Sequence, residues 1–308
     1  MDFKGQHILE TKQFDKTALQ ELFVEADELQ ALYKKGEAAD VLKGKVLATL
    51  FFEPSTRTRF SFETAMLRLG GRVISNADMM QTSSVKKLEE LDDIGKVVSR
   101  FADVIAMRHP AAGAVEELAK NSKVPVINGG DGSHDHPTQG LLDIYTISRH
   151  FGRVDGLTIG LVGDLKYSRV LHSQCELLRH YGAKVLLVSP AELKLPDEIK
   201  ADLDESNVEY METENLEMVI GDMDVLSLNR LQMERFENPE DCEKYRGSFS
   251  VSADLLRKAK EDMIIINPLP RMEELPREID NDPRAKYFDQ IDNGVIVRMA
   301  LFKKILLG

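Results

Sequence analysis

Short apolar runs alternate along the chain with longer segments whose apolar positions recur at helical spacing. Val46–Phe52 and Lys184–Val188 have the length and composition of buried strands. Helical spacing follows the first run, because Phe62, Met66 and Leu69 fall on one face. This alternation predicts parallel sheets covered by helices on both faces. The predicted strands are Val46–Phe52, Arg72–Ile74, Val104–Arg108, Pro125–Asn128, Leu157–Val162, Lys184–Val188, Val208–Met211, Val225–Leu228 and Met263–Ile266.

The helical segments complete an α/β arrangement in two domains. The 308 residues are enough for two domains of about 150 residues each. We predict domains over residues 1–150 and 151–293, a hinge near Phe151–Gly156, and a C-terminal helix over residues 294–308. Each domain should contain a mainly parallel sheet flanked by helices. The predicted helices are Lys16–Lys35, one following Ser55–Thr58, Leu88–Phe101, Ala114–Lys120, Pro137–Phe151, Ser168–Tyr181, Asp197–Asp204, Asn215–Ile220, Ala253–Ala259 and Gly294–Leu307.

Composition narrows the class of protein. Lys and Arg number 40 against 52 Asp and Glu, and the net charge of −12 disfavours non-specific nucleic-acid binding. A local basic pocket remains compatible with this negative net charge. Cys175 and Cys242 form no CxxC pair, which argues against a disulfide framework or a zinc site. The sequence shows no signal peptide and no apolar run of about 18 residues, so we expect a cytoplasmic location without membrane contact.

The segment Glu53–Glu63 (EPSTRTRFSFE) places hydroxyls and arginines directly after a predicted strand. Ligands of open parallel sheets lie beyond the carboxyl ends of the strands. The first amides of a helix are unpaired there, and its dipole favours an anion. Ser55, Thr56 and Arg57 could complete a pocket for a phosphate-like dianion. The alternatives are N-capping by the hydroxyls and exposed helix charge for the arginines. Neither GxxxxGK[ST] nor GxGxxG occurs.

Residues 55–63 (STRTRFSFE) resemble the carbamoyl-phosphate motif of the carbamoyltransferases. Five further segments occur in the same order, and at similar spacing, as in aspartate carbamoyltransferase catalytic chains. Six short motifs in one order are specific, and the resemblance extends over nearly the whole chain. The other segments are Met107–Pro110, Asn128–Gln139, Gly163–Ser173, Asn229–Gln232 and Asn267–Arg271.

This resemblance implies a reaction. The aspartate amine would attack the carbonyl carbon of carbamoyl phosphate, giving N-carbamoyl-L-aspartate and phosphate for pyrimidine biosynthesis. The first domain would bind carbamoyl phosphate, the second would bind aspartate, and closure of the two would exclude water. The C-terminal helix would pack back on the first domain. No metal, cofactor or covalent nucleophile is expected, because positioning and preorganised charge carry the rate.

The resemblance also implies roles for individual residues. The catalytic residues would be Arg57, Thr58, Arg108 and His136. Carbamoyl phosphate would contact Ser55, Thr56, Arg57, Thr58, Ser83, Arg108, His136, Gln139, Pro268, Leu269 and Pro270. Aspartate would contact Lys87, Arg169, Arg230 and Gln232.

From the residues alone, interpretations without a ligand remain for several of these positions. Arg108 could form a salt bridge with a nearby acid, and His136 could be a structural histidine. Arg169 and Arg230 could be ordinary surface charge. His134 and His136 lack a third ligand nearby for a metal, and His134 is expected to be a bystander.

Two features concern assembly and departures from the family pattern. The family's loop corresponding to residues 83–87 reaches a neighbouring subunit, so Ser83 and Lys87 imply a homotrimer with shared sites. Residues 163–167 (GDLKY) resemble versions that join separate regulatory chains. The family usually has His at the position of Asn267 and commonly Thr at that of Asn229. We expect activity to survive both changes.

Other functions compete with this interpretation. Ornithine carbamoyltransferases share the STRTR and HPTQ segments but have an SMG loop and a cysteine near position 267, both missing here. Two arginines suit a dicarboxylate and would repel the ornithine ammonium. Transfer to another amino acid and non-catalytic anion binding remain alternatives. A nicotinamide oxidoreductase is disfavoured by the missing glycine fingerprint.

Overall fold

The computed structural model describes residues 1–82, 89–236 and 243–308. The chain forms two compact units. The first comprises residues 1–142 together with 291–308, and the second comprises residues 143–290. The domain limits predicted from the sequence, at residues 150 and 293, remain predictions.

The first unit is built on a four-stranded parallel sheet. Its strands are β1 (Val46–Phe51), β2 (Arg72–Asn76), β3 (Val104–His109) and β4 (Val126–Asp131), in the order β2-β1-β3-β4. β4 is buried along its whole length, whereas the edge strand β2 is largely accessible. The helices that begin in this unit are α1 (Lys16–Lys35), α2 (Thr56–Arg68), α3 (Met79–Thr82), α4 (Leu91–Val98), α5 (Ala114–Ala119) and α6 (Pro137–Phe151).

The second unit contains a five-stranded parallel sheet. Its strands are β5 (Thr158–Val162), β6 (Lys184–Val188), β7 (Tyr210–Thr213), β8 (Val225–Leu228) and β9 (Ile264–Ile266), in the order β7-β6-β5-β8-β9. The central strands are buried on both faces, as their continuous apolar runs predict. The remaining helices are α7 (Arg169–Leu178), α8 (Asp197–Glu205), α9 (Leu216–Val219), α10 (Ala253–Leu256) and α11 (Asp289–Leu307).

The predicted fold class is confirmed. Each unit has a parallel sheet flanked by helices, and the end of α11 packs within the first unit. Its predicted start at Gly294 is wrong, since the helix begins at Asp289. Glycine is a weak helix former, but a Cβ on Gly294 would lie only 3.0 Å from Leu142 Cδ2. Close packing therefore explains a glycine inside this helix.

Two other predicted helices are shorter than expected. Leu88–Phe101 is helical only over Leu91–Val98, and its first residue lies outside the described residues. Ala253–Ala259 ends as a helix at Leu256. Beyond both ends the backbone bonds span three residues, from Phe101 N to Val98 O and from Ala259 N to Leu256 O. Such bonds form the tight last turns typical of helix ends. The spacing of apolar residues gives no signal for these turns.

In the described part of the chain, no helix is long and apolar enough to cross a membrane.

Candidate active site

The amino end of α2 follows β1 after a short turn. Ser55 is the N-cap residue, yet among the described residues its hydroxyl makes no capping hydrogen bond. Its backbone oxygen instead accepts from Arg59 N at 3.1 Å. Thr58 is buried, whereas Thr56 and Arg57 are exposed. The side chain of Ser55 therefore does not cap the helix, and its hydroxyl is available for another partner.

Arg108 is the penultimate residue of β3, beside this turn. Its Nε donates to Glu53 Oε1 at 2.7 Å, and its Nη1 donates to Gly129 O at 3.3 Å. The backbone oxygen of Arg108 accepts from Phe52 N at 2.9 Å. The salt bridge considered from the sequence is thus present, with Glu53 as the acid. These bonds anchor the guanidinium to the carboxyl ends of the neighbouring strands β1 and β4.

The segment between β4 and α6 is ordered by its own side chains. Asn128 Oδ1 accepts from Gly130 N at 2.7 Å, and Asp135 Oδ1 accepts from His136 N at 2.7 Å. His136 is only 4% exposed and immediately precedes α6. The backbone N–H of Gln139 donates to His136 O at 2.8 Å. The imidazole of His136 and the amide of Gln139 therefore belong to the same first turn.

Arg298 links the middle of α2 to the amino end of α6. This buried guanidinium donates from Nη1 to Ser61 Oγ at 3.0 Å and from Nη2 to Thr138 Oγ1 at 2.9 Å. It also lies 4.7 Å from the centre of the Phe62 ring. Arg298 belongs to α11, so the returning helix ties together the two helices that carry predicted anion ligands. Sequence reasoning missed Arg298, because an arginine inside an amphipathic helix normally faces solvent.

The second unit presents three loops at the adjacent carboxyl ends of β5, β8 and β9. Gly163 has a φ of 125°, and a Cβ there would lie 2.1 Å from Asn229 O. Only glycine permits this close approach between the loops after β5 and β8. Asn229 N donates to Val162 O at 2.8 Å, and Ser168 Oγ donates to Asn229 Oδ1 at 3.1 Å. Asn229, one of the two departures from the family pattern, thus accepts a hydrogen bond from the residue that precedes α7.

Asp164 is a second residue missed from the sequence, although it follows a strand within a glycine-containing loop. Its carboxylate is fully buried and accepts from Tyr167 N and Gln232 N, both at 3.0 Å. Burial raises the pKa of Asp164 above its usual value. These bonds hold the loop that leads to Arg169 against the loop that carries Arg230.

The two arginines predicted to bind a dicarboxylate lie on these loops. Arg169 is the first residue of α7 and is 8% exposed, which excludes ordinary surface charge for it. Arg230 donates from Nη1 and Nη2 to the two carboxylate oxygens of Glu234, at 2.9 and 2.6 Å. The neighbouring Gln232 Nε2 donates to Arg230 O at 3.3 Å. The guanidinium of Arg230 therefore already holds a carboxylate in the two-pronged geometry that arginine favours.

The loop after β9 contains Pro268, Leu269 and Pro270. Prolines lack an N–H, so Leu269 carries the only backbone donor of these three residues. Leu269 has a φ of 53°, which is unusual for a residue with a branched side chain. Its amide donates to Asn267 Oδ1 at 2.7 Å. Asn267, the second departure from the family pattern, is thus a buried residue that shapes this loop.

The structure brings the predicted site residues together in two sets. Ser83, Lys87 and Cys242 lie outside the described residues. Within residues 1–82, 89–236 and 243–308, no group of three or more His, Cys or acidic side chains is placed to hold a metal ion. The first unit holds Ser55, Thr56, Arg57, Thr58, Arg108, His136 and Gln139, and the second holds Arg169, Arg230, Gln232, Pro268, Leu269 and Pro270.

His134, expected to be a bystander, is part of an ionic cluster. Its Nδ1 lies 3.3 Å from Asp131 Oδ2, and its Nε2 lies 3.5 Å from Glu10 Oε1. The hydrogen bond with Asp131 raises the pKa of His134 above 6.5, and Asp135 and Glu10 add to the effect. The protonated imidazole thus links the N-terminal segment to the loop that leads into α6.

Replacing His134 by Gln should destabilise the protein in acid but not in alkali. A raised folded-state pKa stabilises the fold fully below pH about 6.5, and the contribution disappears as pH rises through the raised pKa. The loss of Tm should therefore be larger at pH 5.5 than at pH 8.5. His150→Gln is the control with the opposite sign, because burial lowers the pKa of His150. Equal losses for His134→Gln at both pH values would contradict this assignment.

The fold and these two sets of residues define a class: a two-unit α/β protein with cationic ligand sites at the carboxyl ends of parallel strands. Residues 6–149 match the family described as aspartate/ornithine carbamoyltransferase, carbamoyl-P binding domain. Residues 155–305 match the corresponding Asp/Orn binding domain. The chain therefore belongs to the aspartate/ornithine carbamoyltransferase family.

Individual relatives are similar over almost their whole length. The chain is 48% identical to the aspartate carbamoyltransferase catalytic subunit of Clostridium acetobutylicum, covering 98% of both chains. It resembles the structure of the catalytic subunit of M. jannaschii aspartate transcarbamoylase, with a TM-score of 0.91, 45% identity and 97% of each chain covered. It also resembles Trypanosoma cruzi aspartate transcarbamoylase in complex with N-(phosphonacetyl)-L-aspartic acid, with a TM-score of 0.93, 38% identity and coverage of 99% of this chain and 97% of that chain.

Proposed function

We propose that this chain is the catalytic chain of an aspartate carbamoyltransferase, which makes N-carbamoyl-L-aspartate and phosphate for pyrimidine biosynthesis. Arg230 carries the proposal, because its guanidinium holds the carboxylate of Glu234 through two nitrogens beside Gln232, which is the geometry that a substrate carboxylate would use. A second substrate with two carboxylates suits this site and the buried Arg169. The ammonium of ornithine would be repelled by the same charges. The names of the relatives and the bisubstrate-like ligand of the Trypanosoma cruzi enzyme support the same reaction.

In the first unit, the residues around α2 and α6 would bind carbamoyl phosphate. The phosphate would lie at the amino end of α2, against Ser55, Thr56 and Arg57, where unpaired amides and the helix dipole favour a dianion. Thr58, Arg108 and His136 would donate to the carbonyl oxygen as it gains negative charge. Gln139 would hold the carbamoyl amide. The existing bond between Arg108 and Glu53 supports this role, because it leaves the guanidinium with a fixed orientation.

In the second unit, Arg169, Arg230 and Gln232 would hold the two carboxylates of aspartate. Backbone oxygens of Pro268, Leu269 and Pro270 would accept from the carbamoyl NH₂ group. The amine then forms a C–N bond to the carbonyl carbon, the C–O bond to phosphate breaks, and the proton lost by the amine leaves with the phosphate. No residue forms a covalent intermediate, since orientation and fixed charge supply the rate.

We further propose a cytoplasmic homotrimer in which Ser83 and Lys87 serve the site of a neighbouring subunit. The support is a set of exposed apolar side chains on α2 and the edge strand β2. Phe60 is 52% exposed, Leu67 58% and Ile74 44%. Exposed apolar side chains on an edge strand and a neighbouring helix favour contact with another chain. Mass photometry at nanomolar to micromolar protein, with and without a co-expressed regulatory chain, tests trimer formation and the association of such a chain.

The reaction is tested with the purified chain and carbamoyl phosphate, offered aspartate and ornithine in parallel. We expect a carbamoyl product and equimolar phosphate when aspartate is offered, and no carbamoyl product when ornithine is offered. A product from ornithine but not from aspartate would show that the chain catalyses the ornithine reaction instead. Binding of carbamoyl phosphate without product from either amino acid would indicate an anion-binding protein instead.

A further inference from the structure

A chain of buried hydrogen bonds in the second unit ends at the loop of residues 267–270. Its members are Asp143, Gln290 and Asn267, which are 0%, 2% and 2% exposed. Gln290 Nε2 donates to Asp143 Oδ1 at 2.5 Å, and Gln290 Oε1 accepts from Asn267 N at 3.0 Å. None of these side chains has a role in the mechanism above. We infer that Asp143 acts through Gln290 and Asn267 as a positioning residue for this loop.

The Asp143 carboxylate sets the direction of these hydrogen bonds. An ionised carboxylate accepts hydrogen bonds and cannot donate them, so the NH₂ group of Gln290 must face Asp143. The carbonyl oxygen of the same amide then faces the backbone N–H of Asn267, which requires an acceptor when buried. Gln174 Nε2 binds the other carboxylate oxygen at 2.5 Å, and its own oxygen accepts from Ser227 Oγ at 2.8 Å. One buried charge thus orients two amides.

The side chain of Asn267 connects these hydrogen bonds to the loop. Its Oδ1 accepts from Leu269 N at 2.7 Å, and its Nδ2 donates to Leu228 O at 2.9 Å and to Glu274 Oε1 at 3.2 Å. The left-handed φ of Leu269 is unfavourable for a residue with a side chain and persists only where the surroundings impose it. The bond to Asn267 is one such constraint. Leu228 directly precedes Asn229 and Arg230, so the same side chain links the loops after β8 and β9.

The consequence for catalysis rests on the proposed function, in which carbonyl oxygens of residues 268–270 hold the carbamoyl NH₂ group. Those oxygens must be correctly placed when the tetrahedral intermediate forms. A displaced loop lowers kcat, because misplacement by about 1 Å costs up to about 10² in rate. The aspartate ligands Arg169 and Arg230 would keep their places, and the KM for aspartate would change little.

Gln290→Met tests this inference. Methionine keeps the length of the side chain and removes both polar contacts. We expect kcat to fall about tenfold, with the KM for aspartate within twofold of the wild type. Asn267 and Leu269 carry the only backbone amide hydrogens of residues 267–270, and both should exchange with solvent about tenfold faster. Site-resolved hydrogen exchange measures this independently of activity.

Gln174→Met is the matched control. It removes the other amide that binds Asp143, at similar burial, but leaves the bonds of Asn267 in place. Unchanged kcat and unchanged exchange at residues 267 and 269 are expected. Equal loss of kcat in both variants, or unchanged exchange in Gln290→Met, would overturn the inference. If Gln290→Met fails to fold, Gln290→Asn, which keeps the amide but shortens its reach, is measured in the same way with the same expected result.

The two proposals fail in distinguishable ways. A wild-type chain without carbamoyltransferase activity rejects the proposed function, and the exchange rates still decide whether Asp143 and Gln290 hold the loop. An active wild type with a normal Gln290→Met variant rejects the positioning role alone.

Discussion

Replacing Arg57 by Ala should lower kcat by about 10²–10³ while leaving the fold intact. Loss of a single preorganised donor to a developing charge typically costs this much. Arg57 lies in the first turn of α2 with an exposed side chain, so its removal creates no cavity. Its proposed partner is the departing phosphate, whose charge rises as the bond to carbon breaks. Steady-state rates at saturating carbamoyl phosphate and aspartate measure the effect.

Arg68→Ala is the control for this experiment. Arg68 ends the same helix, and its guanidinium lies 4.4 Å from the centre of the Tyr33 ring. Both variants remove one positive charge from α2, but only Arg57 occupies the amino end. Near-normal kcat for Arg57→Ala, or equal losses in the two variants, would remove Arg57 from the site. Unchanged circular dichroism and Tm verify that each variant is folded.

Replacing Arg230 by Ala should reduce kcat/KM for aspartate by about 10²–10⁴. The guanidinium would make two charged hydrogen bonds with one substrate carboxylate, each contributing about 1.5–3 kcal/mol. Their combined loss of about 3–6 kcal/mol converts to that range at about 1.4 kcal/mol per tenfold. The partner Glu234 is 55% exposed at its side chain and remains hydrated without the arginine. Affinity for carbamoyl phosphate alone should stay within twofold of the wild type.

Arg257→Ala provides the comparison in the same unit. Arg257 is 72% exposed and pairs with Asp254 three residues earlier, so it resembles Arg230 in chemistry but not in position. It should leave both substrates unaffected. An equal loss of affinity for carbamoyl phosphate and aspartate in Arg230→Ala would point to general damage. A loss of kcat/KM for aspartate below about threefold would assign the carboxylate to other residues.

The order of elements was readable from the sequence because buried parallel strands are continuous apolar runs. Val225–Leu228 and Lys184–Val188 were predicted to the residue. Helix ends were less predictable, since Gly294 suggested a start where close packing against Leu142 is the actual reason for a glycine. Apolar periodicity reports which face is buried, but it carries little information on the last turn.

The residues proposed to face the ligands have clearer sequence signals than the residues that hold them. Arg108 lies at the end of a strand and Arg230 follows one, both within recognisable motifs, whereas their partners Glu53 and Glu234 look like ordinary surface acids in the sequence. Asp143, Gln290 and Arg298 lie inside helices, and their roles depend on contacts across up to 237 positions of the chain. Such contacts leave no local pattern, so only the folded structure identifies them.

The return of α11 into the first unit affects how this protein is made. Gly5 N donates to Ile305 O at 2.9 Å, and Lys303 Nζ lies 2.6 Å from Glu25 Oε1. Arg298 is synthesised long after Ser61 and Thr138, so these hydroxyls meet their partner only once α11 has been made. A nascent chain that stalls before α11 lacks this support for the helices that carry the proposed phosphate ligands, so loss of residues 294–308 should damage a unit whose sheet was made much earlier.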